Sequence, residues 1–96
     1  MLINHKEYEI TDKYEITDMS DDFLLIPNNS NVEKSKVLIL SDISALIWRY
    51  LFVEKKSLEN TVALLMDRYD ISEYKIKNDI NVFINKLLSY QVILHR

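Results

Sequence analysis

The side chains that could perform chemistry in this sequence are few, and their spacing does not assemble a catalytic site. His5 and His95 stand near opposite ends of the chain, and no carboxylate cluster with metal-ligand spacing surrounds either one. Asp21 and Asp22 are adjacent, and neighbouring extended residues point to opposite faces, so the two carboxylates do not converge as an acid/base pair. Cysteine and glycine are absent, which excludes thiolate metal sites and glycine-rich phosphate loops. We therefore expect a protein that is not an enzyme and that carries no cofactor and no metal.

Length and composition indicate one small globular domain. The chain has 96 residues, of which 48% are hydrophobic and 28% are charged, with a formal net charge of −3. An acidic balance disfavours a nucleic-acid partner, which usually meets a basic surface. No apolar run reaches membrane-spanning length, and the N-terminus lacks the apolar centre of a signal peptide, so we expect a cytoplasmic protein without a membrane partner.

The first third of the chain has the pattern of β-strands. Residues 23–26 are a short apolar run between turn-forming residues, and residues 37–40 are a second one. The segment YEITD occurs at 8–12 and again at 14–18. We interpret the second copy as the first strand of a meander and residues 1–13 as an N-terminal arm, with the domain proper at 14–96. A chance repetition of good strand formers is the alternative.

Residues 37–40 pose a packing problem because they are apolar in succession. Alternation along a strand sends Val37 and Ile39 to one face and Leu38 and Leu40 to the other. A chain of this size can lay helices over one face of a small sheet. The other face, or the open edge of the strand, therefore needs a second cover.

The rest of the chain has helical periodicity. The first helix is expected over about 42–52, with Ser41 or Asp42 as its N-cap, and the next two begin near Ser57 and Ser72. Residues 92–94 form a short terminal strand or close over the core. Because the chain lacks glycine, residues with positive φ should be Asn or Asp, with Asn28 and Asn29 as candidates. Three strands followed by three helices predict an α+β domain of the winged helix-turn-helix type, with a three-stranded antiparallel sheet.

Four lysines could line one groove. Lys34 and Lys36 precede the apolar strand, and Lys75 and Lys77 lie in the first turns of the third helix. If that helix packs beside the open edge of the strand, the four side chains meet. The alternative is that they are solvated surface charge.

The stretch LILSDISALIWRYL resembles the PqqD-like proteins, the RiPP recognition elements. A strand ends in Leu40, a polar pair follows, and Ala45, Ile47 and Trp48 complete the pattern. The resemblance continues to about residue 94, with Asp79, Phe83 and Leu87 spaced along the third helix. The chain departs from the family pattern where glycines are usual, at Ser44 and in the turn at 53–56, and it has Ser41 where Asn is common.

The resemblance implies a non-catalytic domain that binds the leader of a ribosomally made precursor peptide. The leader would add as an antiparallel strand to the edge of the third strand, in a groove against the third helix. The implied peptide-binding residues are Lys36, Val37, Leu38 and Ile39 on the strand and Ile76, Lys77, Ile80, Asn81 and Ile84 on the helix, some of which would also serve the core. The other implied partner is a separate modifying enzyme or leader peptidase, and a lasso-peptide pathway is our first choice.

Two other functions remain open from the sequence. A winged-helix DNA-binding regulator would place the third helix in the major groove, although Glu73 and Asp79 lie among its lysines. A homodimer would instead pair the apolar edge with its own copy.

Overall fold

The structure, a computed structural model, describes residues 7–28 and 36–96. His5, Asn29 and Lys34 lie outside these ranges. The elements in chain order are β1 (Tyr8–Ile10), β2 (Tyr14–Asp18), β3 (Phe23–Pro27), β4 (Leu38–Leu40), α1 (Asp42–Trp48), a π-helix (Arg49–Val53), α2 (Leu58–Tyr69), α3 (Glu73–Ser89) and β5 (Ile93–His95).

Strands β2, β3 and β4 form an antiparallel sheet in that order. The register places Phe23 opposite Leu40, Leu24 opposite Ile39 and Leu25 opposite Leu38. The sheet precedes the three helices in the chain, and this confirms the predicted α+β class with a three-stranded antiparallel sheet. Within the described ranges, no helix has the length and hydropathy needed to cross a bilayer.

A second, two-stranded sheet joins the two ends of the chain. Strand β1 pairs antiparallel with β5, with Tyr8 opposite His95 and Ile10 opposite Ile93. The Tyr8 side chain is buried in the core, and its ring lies 5.0 Å from that of His95. The boundary at residue 13 remains a prediction, but residues 8–10 are integrated with the C-terminal strand.

The core is one continuous apolar cluster between the sheet and the helices. Trp48 lies at its centre, almost fully buried, with its ring stacked on Phe52 at 4.7 Å and edge-on to Phe23 at 6.5 Å. Trp48 is the last residue of α1, and the π-helix that follows supplies Phe52, on which its ring stacks.

The π-helix replaces the end of the first predicted helix and brings Arg49 to the sheet. Arg49 donates from Nη2 to Asp18 Oδ1 at 2.8 Å and to the Ser20 carbonyl at 3.0 Å, and from Nη1 to Asp18 Oδ2 at 3.2 Å. The guanidinium also lies 4.7 Å from the ring centre of Phe23. A planar guanidinium matches both carboxylate oxygens, so this contact fixes the end of β2 against the helical layer.

The N-termini of α2 and α3 follow the local rule that the sequence predicted. Ser57 Oγ accepts the backbone N–H of Asn60 at 3.0 Å, and Ser72 Oγ accepts that of Lys75 at 3.2 Å. Each serine satisfies one donor that would otherwise lack a partner in the first turn.

Most of the residues with a positive φ are not the Asn or Asp residues that the sequence predicted. The described positions with positive φ are Ser20, Asp42, Lys55, Asp70 and Gln91. Asn28 is not among them, so that part of the prediction is wrong. In a chain without glycine, tertiary contacts hold ordinary side chains in this region at a cost of about 1–3 kcal/mol each.

Candidate functional site

Strand β4 is the last strand of its sheet. One edge pairs with β3, and no other strand pairs with its opposite edge among the described residues. An unpaired edge presents backbone N–H and C=O groups that a further strand can bind. The structure therefore leaves open the edge where the resemblance implied peptide binding.

The side chains of β4 divide between the core and solvent. Leu40 is buried and Leu38 is half-buried, with Leu38 packed against the core cluster. Ile39 is 65% exposed, and Val37, just before the strand, is 56% exposed. The helices therefore cover only one of the two apolar faces.

Strand β3 enlarges the exposed apolar surface. Leu24, opposite Ile39, is half-buried, and Ile26 is exposed. We call Leu24, Ile26, Val37 and Ile39 the outer patch. A short apolar run such as 23–26 predicts a strand buried on both faces, which is wrong for these two side chains because none of the described helices packs on this side of the sheet. The uninterrupted apolar run, similar to that at 37–40, was the signal that could have indicated a two-faced strand.

Helix α3 contributes to the core and to the surface. Its predicted site residues Ile76, Ile80 and Ile84 are almost completely buried and belong to the same cluster as Leu40 of β4. They join the helix to the sheet, and a direct contact with a peptide remains a prediction for them.

Two other predicted site residues on α3 are accessible. Lys77 is exposed and Asn81 is half-buried. They are four residues apart and share one side of the helix. Lys77 and Asn81 are therefore the accessible members of the helical set.

Two of the four lysines predicted to line a groove form ion pairs. Lys75 Nζ lies 2.9 Å from Asp79 Oδ1, and Lys77 Nζ lies 3.5 Å from Glu73 Oε2, both at i,i+4 spacing. Lys36 is exposed beside β4. Paired surface lysines are a weaker attraction for an acidic ligand than free ones, because a ligand must compete with the existing partner.

The described residues do not assemble an acid/base or metal site. His95 is exposed and packs on Tyr8, while Ser41 is the N-cap residue of α1, with its N–H donating to Ser44 Oγ at 3.1 Å. No group of three metal-ligating side chains occurs within residues 7–28 and 36–96.

The perturbed titrating groups have structural causes. Burial raises the pKa of Tyr8 and Tyr14, and the Tyr14 hydroxyl donates to the Tyr90 carbonyl at 2.9 Å, which ties β2 to the end of α3. The side-chain hydrogen bond from Arg49 lowers the pKa of Asp18, and the same bond raises that of Arg49. Each shift is explained by burial or by the contact between Arg49 and Asp18.

Comparison with known proteins identifies the family. The sequence profile of the coenzyme PQQ synthesis protein D (PqqD) family matches residues 30–93. The match covers more than half of the chain, so the protein belongs to the PqqD family, and the resemblance seen in the sequence is confirmed.

A solved structure has a similar fold. It is TbiB1 in complex with the TbiA(beta) leader peptide, with a TM-score of 0.70 and 19% sequence identity over 88% of this chain and 93% of that one. At this identity the likeness establishes the fold. No curated protein matches the chain.

Proposed function

We propose that this protein binds the leader of a ribosomally made precursor peptide and has no catalytic activity of its own. The observation that carries the proposal is the open edge of β4, where Ile39 and Val37 are more than half exposed. An exposed apolar edge is otherwise an aggregation hazard. Membership in the PqqD family supports the proposal, as does the similar fold of TbiB1, which was solved with a leader peptide.

The leader would add as an antiparallel strand to the outer edge of β4. Backbone hydrogen bonds would supply affinity for any extended peptide, and alternate side chains would supply specificity. In this arrangement Val37 and Ile39 contact apolar leader residues on the outer face, and Lys36, Lys77 and Asn81 offer polar contacts. Leu38, Ile76, Ile80 and Ile84 would hold the edge strand and helix in place beneath the peptide.

A bound leader would bring the rest of the precursor to a separate modifying enzyme or leader peptidase in the cytoplasm. The domain would then act by raising the local concentration of substrate rather than by chemistry. A lasso-peptide pathway is the setting that we favour for this service.

Proline substitution tests strand addition directly. Along β4, successive N–H groups alternate between β3 and the open edge, and proline removes the donor. We expect Leu38→Pro and Ile39→Pro to fall into different classes. One variant should lose stability. The other should stay folded and bind a fluorescein-labelled leader of the precursor encoded with this protein roughly three- to tenfold more weakly, the equivalent of about 0.5–1.5 kcal/mol per lost hydrogen bond.

Alanine variants at the same positions are the matched controls. Ile39→Ala removes an exposed side chain and keeps the N–H group, so its effect measures side-chain contact alone, while Leu38→Ala reports the cost of a half-buried side chain. Circular dichroism checks folding, and fluorescence anisotropy measures affinity. Undiminished leader binding by both proline variants in a folded state would rule out β4 as the binding edge.

A further inference from the structure

A second groove lies between β1 and the π-helix. Its volume is about 490 Å³, which is within the range of pockets that hold ligands, roughly 300–1,000 Å³. It is lined by all three residues of β1, by Leu51 and Phe52 of the π-helix, by Lys55 and by Arg96. None of the residues proposed to bind the leader lines it.

The groove follows the free edge of β1. Successive strand residues point to opposite faces, so a groove that touches Tyr8, Glu9 and Ile10 together must reach the strand edge and not one face alone. Residues 93–95 of β5, which pair with β1 on its other side, do not line the groove. Within the described residues, the edge of β1 that faces the groove has no partner strand.

The groove has an apolar floor and an accessible apolar rim. Tyr8, Leu51 and Phe52 are buried, and Ile10 is 45% exposed. The π-helix that supplies two of these side chains is an uncommon backbone form that often occurs at functional sites. An edge strand beside a helical wall offers backbone bonding and a place for apolar side chains, which are the requirements for strand addition.

The side chains that line the groove carry one net positive charge, which favours an acidic ligand, and Glu7 adds a negative charge just outside the lining, beside Tyr8. Lys55 and Arg96 supply two cations against the single carboxylate of Glu9, and neither cation takes part in an ion pair among the described residues. The turn that carries Lys55 is fixed by two backbone hydrogen bonds, from Glu54 N–H to the Arg49 carbonyl and from Lys56 N–H to the Tyr50 carbonyl, both at 2.8 Å. Lys55 itself has a φ of 54°, so its position is set by this turn.

We propose that this groove accepts an extended, acidic peptide segment of a second protein as a third strand on β1. An apolar side chain of the segment would pack against Ile10 and the floor, and a neighbouring carboxylate would contact Lys55 or Arg96. A second copy of this chain fits less well, because antiparallel self-pairing centred on Glu9 would oppose two carboxylates. With a leader on β4 and a partner segment on β1, the domain could hold both together.

Designed peptides test the proposal in the full chain. The probes are two acetylated and amidated octapeptides with alternating valine and threonine, one flanked by glutamates and the other by lysines. Each is titrated into ¹⁵N-labelled protein while backbone amide shifts are followed. We expect the glutamate peptide to shift the amide signals of residues 8–10 and 51–55. Shifts at residues 36–40, on the proposed leader-binding edge, can occur in addition. The glutamate peptide should bind roughly three- to tenfold more tightly than the lysine peptide.

Charge reversal supplies the matched control. The double variant Lys55→Glu with Arg96→Glu should abolish or invert the preference for the glutamate peptide, whereas Lys86→Glu, at an exposed position on α3 outside the groove, should leave it unchanged. Equal affinity for the two peptides, shifts confined to residues 36–40, or no shifts at millimolar peptide would each overturn the proposal. Concentration-dependent shifts at residues 8–10 without peptide would overturn it in favour of self-association.

Discussion

Arg49 connects the two layers of the domain through one side chain. Its guanidinium donates to both carboxylate oxygens of Asp18 and covers the ring of Phe23. Asp18 ends β2, and Arg49 begins the π-helix, so the contact joins elements that are 31 residues apart in the chain. A substitution of either Asp18 or Arg49 should therefore weaken the packing of the sheet against the helices.

The contact predicts a pH dependence of stability. The bond from Arg49 lowers the pKa of Asp18 in the folded state relative to its ordinary value of 3.8. The contribution of this bond to the free energy of unfolding is therefore fully present above pH 3.8. It is lost as the pH falls through the lower pKa that Asp18 has in the folded state. We expect Asp18→Asn to be less stable than the native protein at pH 7, and the difference should shrink below pH 3.8. Urea unfolding across this range measures the free energy of both.

Asp67→Asn is the matched control for that experiment. Asp67 is exposed on α2 and makes no ion pair with the described residues, so its replacement should leave the pH profile unchanged. A constant difference between Asp18→Asn and the native protein at all pH values would show that the bond to Arg49 does not depend on the carboxylate charge.

At the scale of elements, the short strand β1 contributes more than its three residues suggest. It pairs with β5 and places Tyr8 in the core, and Thr11 continues the pairing by donating its N–H to the Val92 carbonyl at 2.9 Å. Deletion of residues 1–12 would remove these contacts. Because Tyr8 is buried in the core, we expect this deletion to lower the melting temperature, unlike the removal of a loosely attached arm.

Tyr8→Ala measures the contribution of β1. Truncating a buried aromatic side chain costs about 3 kcal/mol, which in a domain of this size lowers the melting temperature by roughly 12 °C or more. Glu9→Ala, in the same strand at an exposed position, should change stability much less. Thermal unfolding followed by circular dichroism compares them, and similar melting temperatures for both variants would support a dispensable arm.

At the scale of the whole molecule, the charge distribution distinguishes between the two candidate functions, peptide binding and DNA binding. The net charge of −3 and the acidic partners of Lys75 and Lys77 leave little positive surface on α3 for phosphates. A protein that neutralises several phosphates releases counterions, and its affinity falls steeply with salt. Strand addition depends mainly on backbone hydrogen bonds and apolar contacts, which salt screens weakly.

We therefore expect leader affinity to change by no more than about threefold between 50 and 200 mM salt. A DNA-binding protein with 6–10 phosphate contacts would lose roughly a thousandfold or more over that interval. Anisotropy titrations with labelled leader and with a labelled DNA duplex, at both salt concentrations, make the comparison. Tight, salt-sensitive binding of the duplex would favour the winged-helix regulator.

Local rules in the sequence determined the elements and the fold class. The apolar periodicity of residues 58–69 and 73–89, and the serines that precede them, specify two helices and their caps without reference to the rest of the chain. The apolar run at 37–40 likewise indicated a strand that needs cover on both sides. These features depend on residues within a few positions of one another, so they can be predicted from sequence alone.

The tertiary structure alone decided which apolar faces are covered and which ends of the chain meet. Val37 and Leu38 are both apolar in the sequence. Leu38 is more buried than Val37 because the helices cover only the face of the sheet to which Leu38 points. The pairing of β1 with β5 and the bond between Asp18 and Arg49 join residues distant in the chain, and no local pattern specifies them. Such contacts form because the whole chain must satisfy its backbone and bury its apolar surface at once.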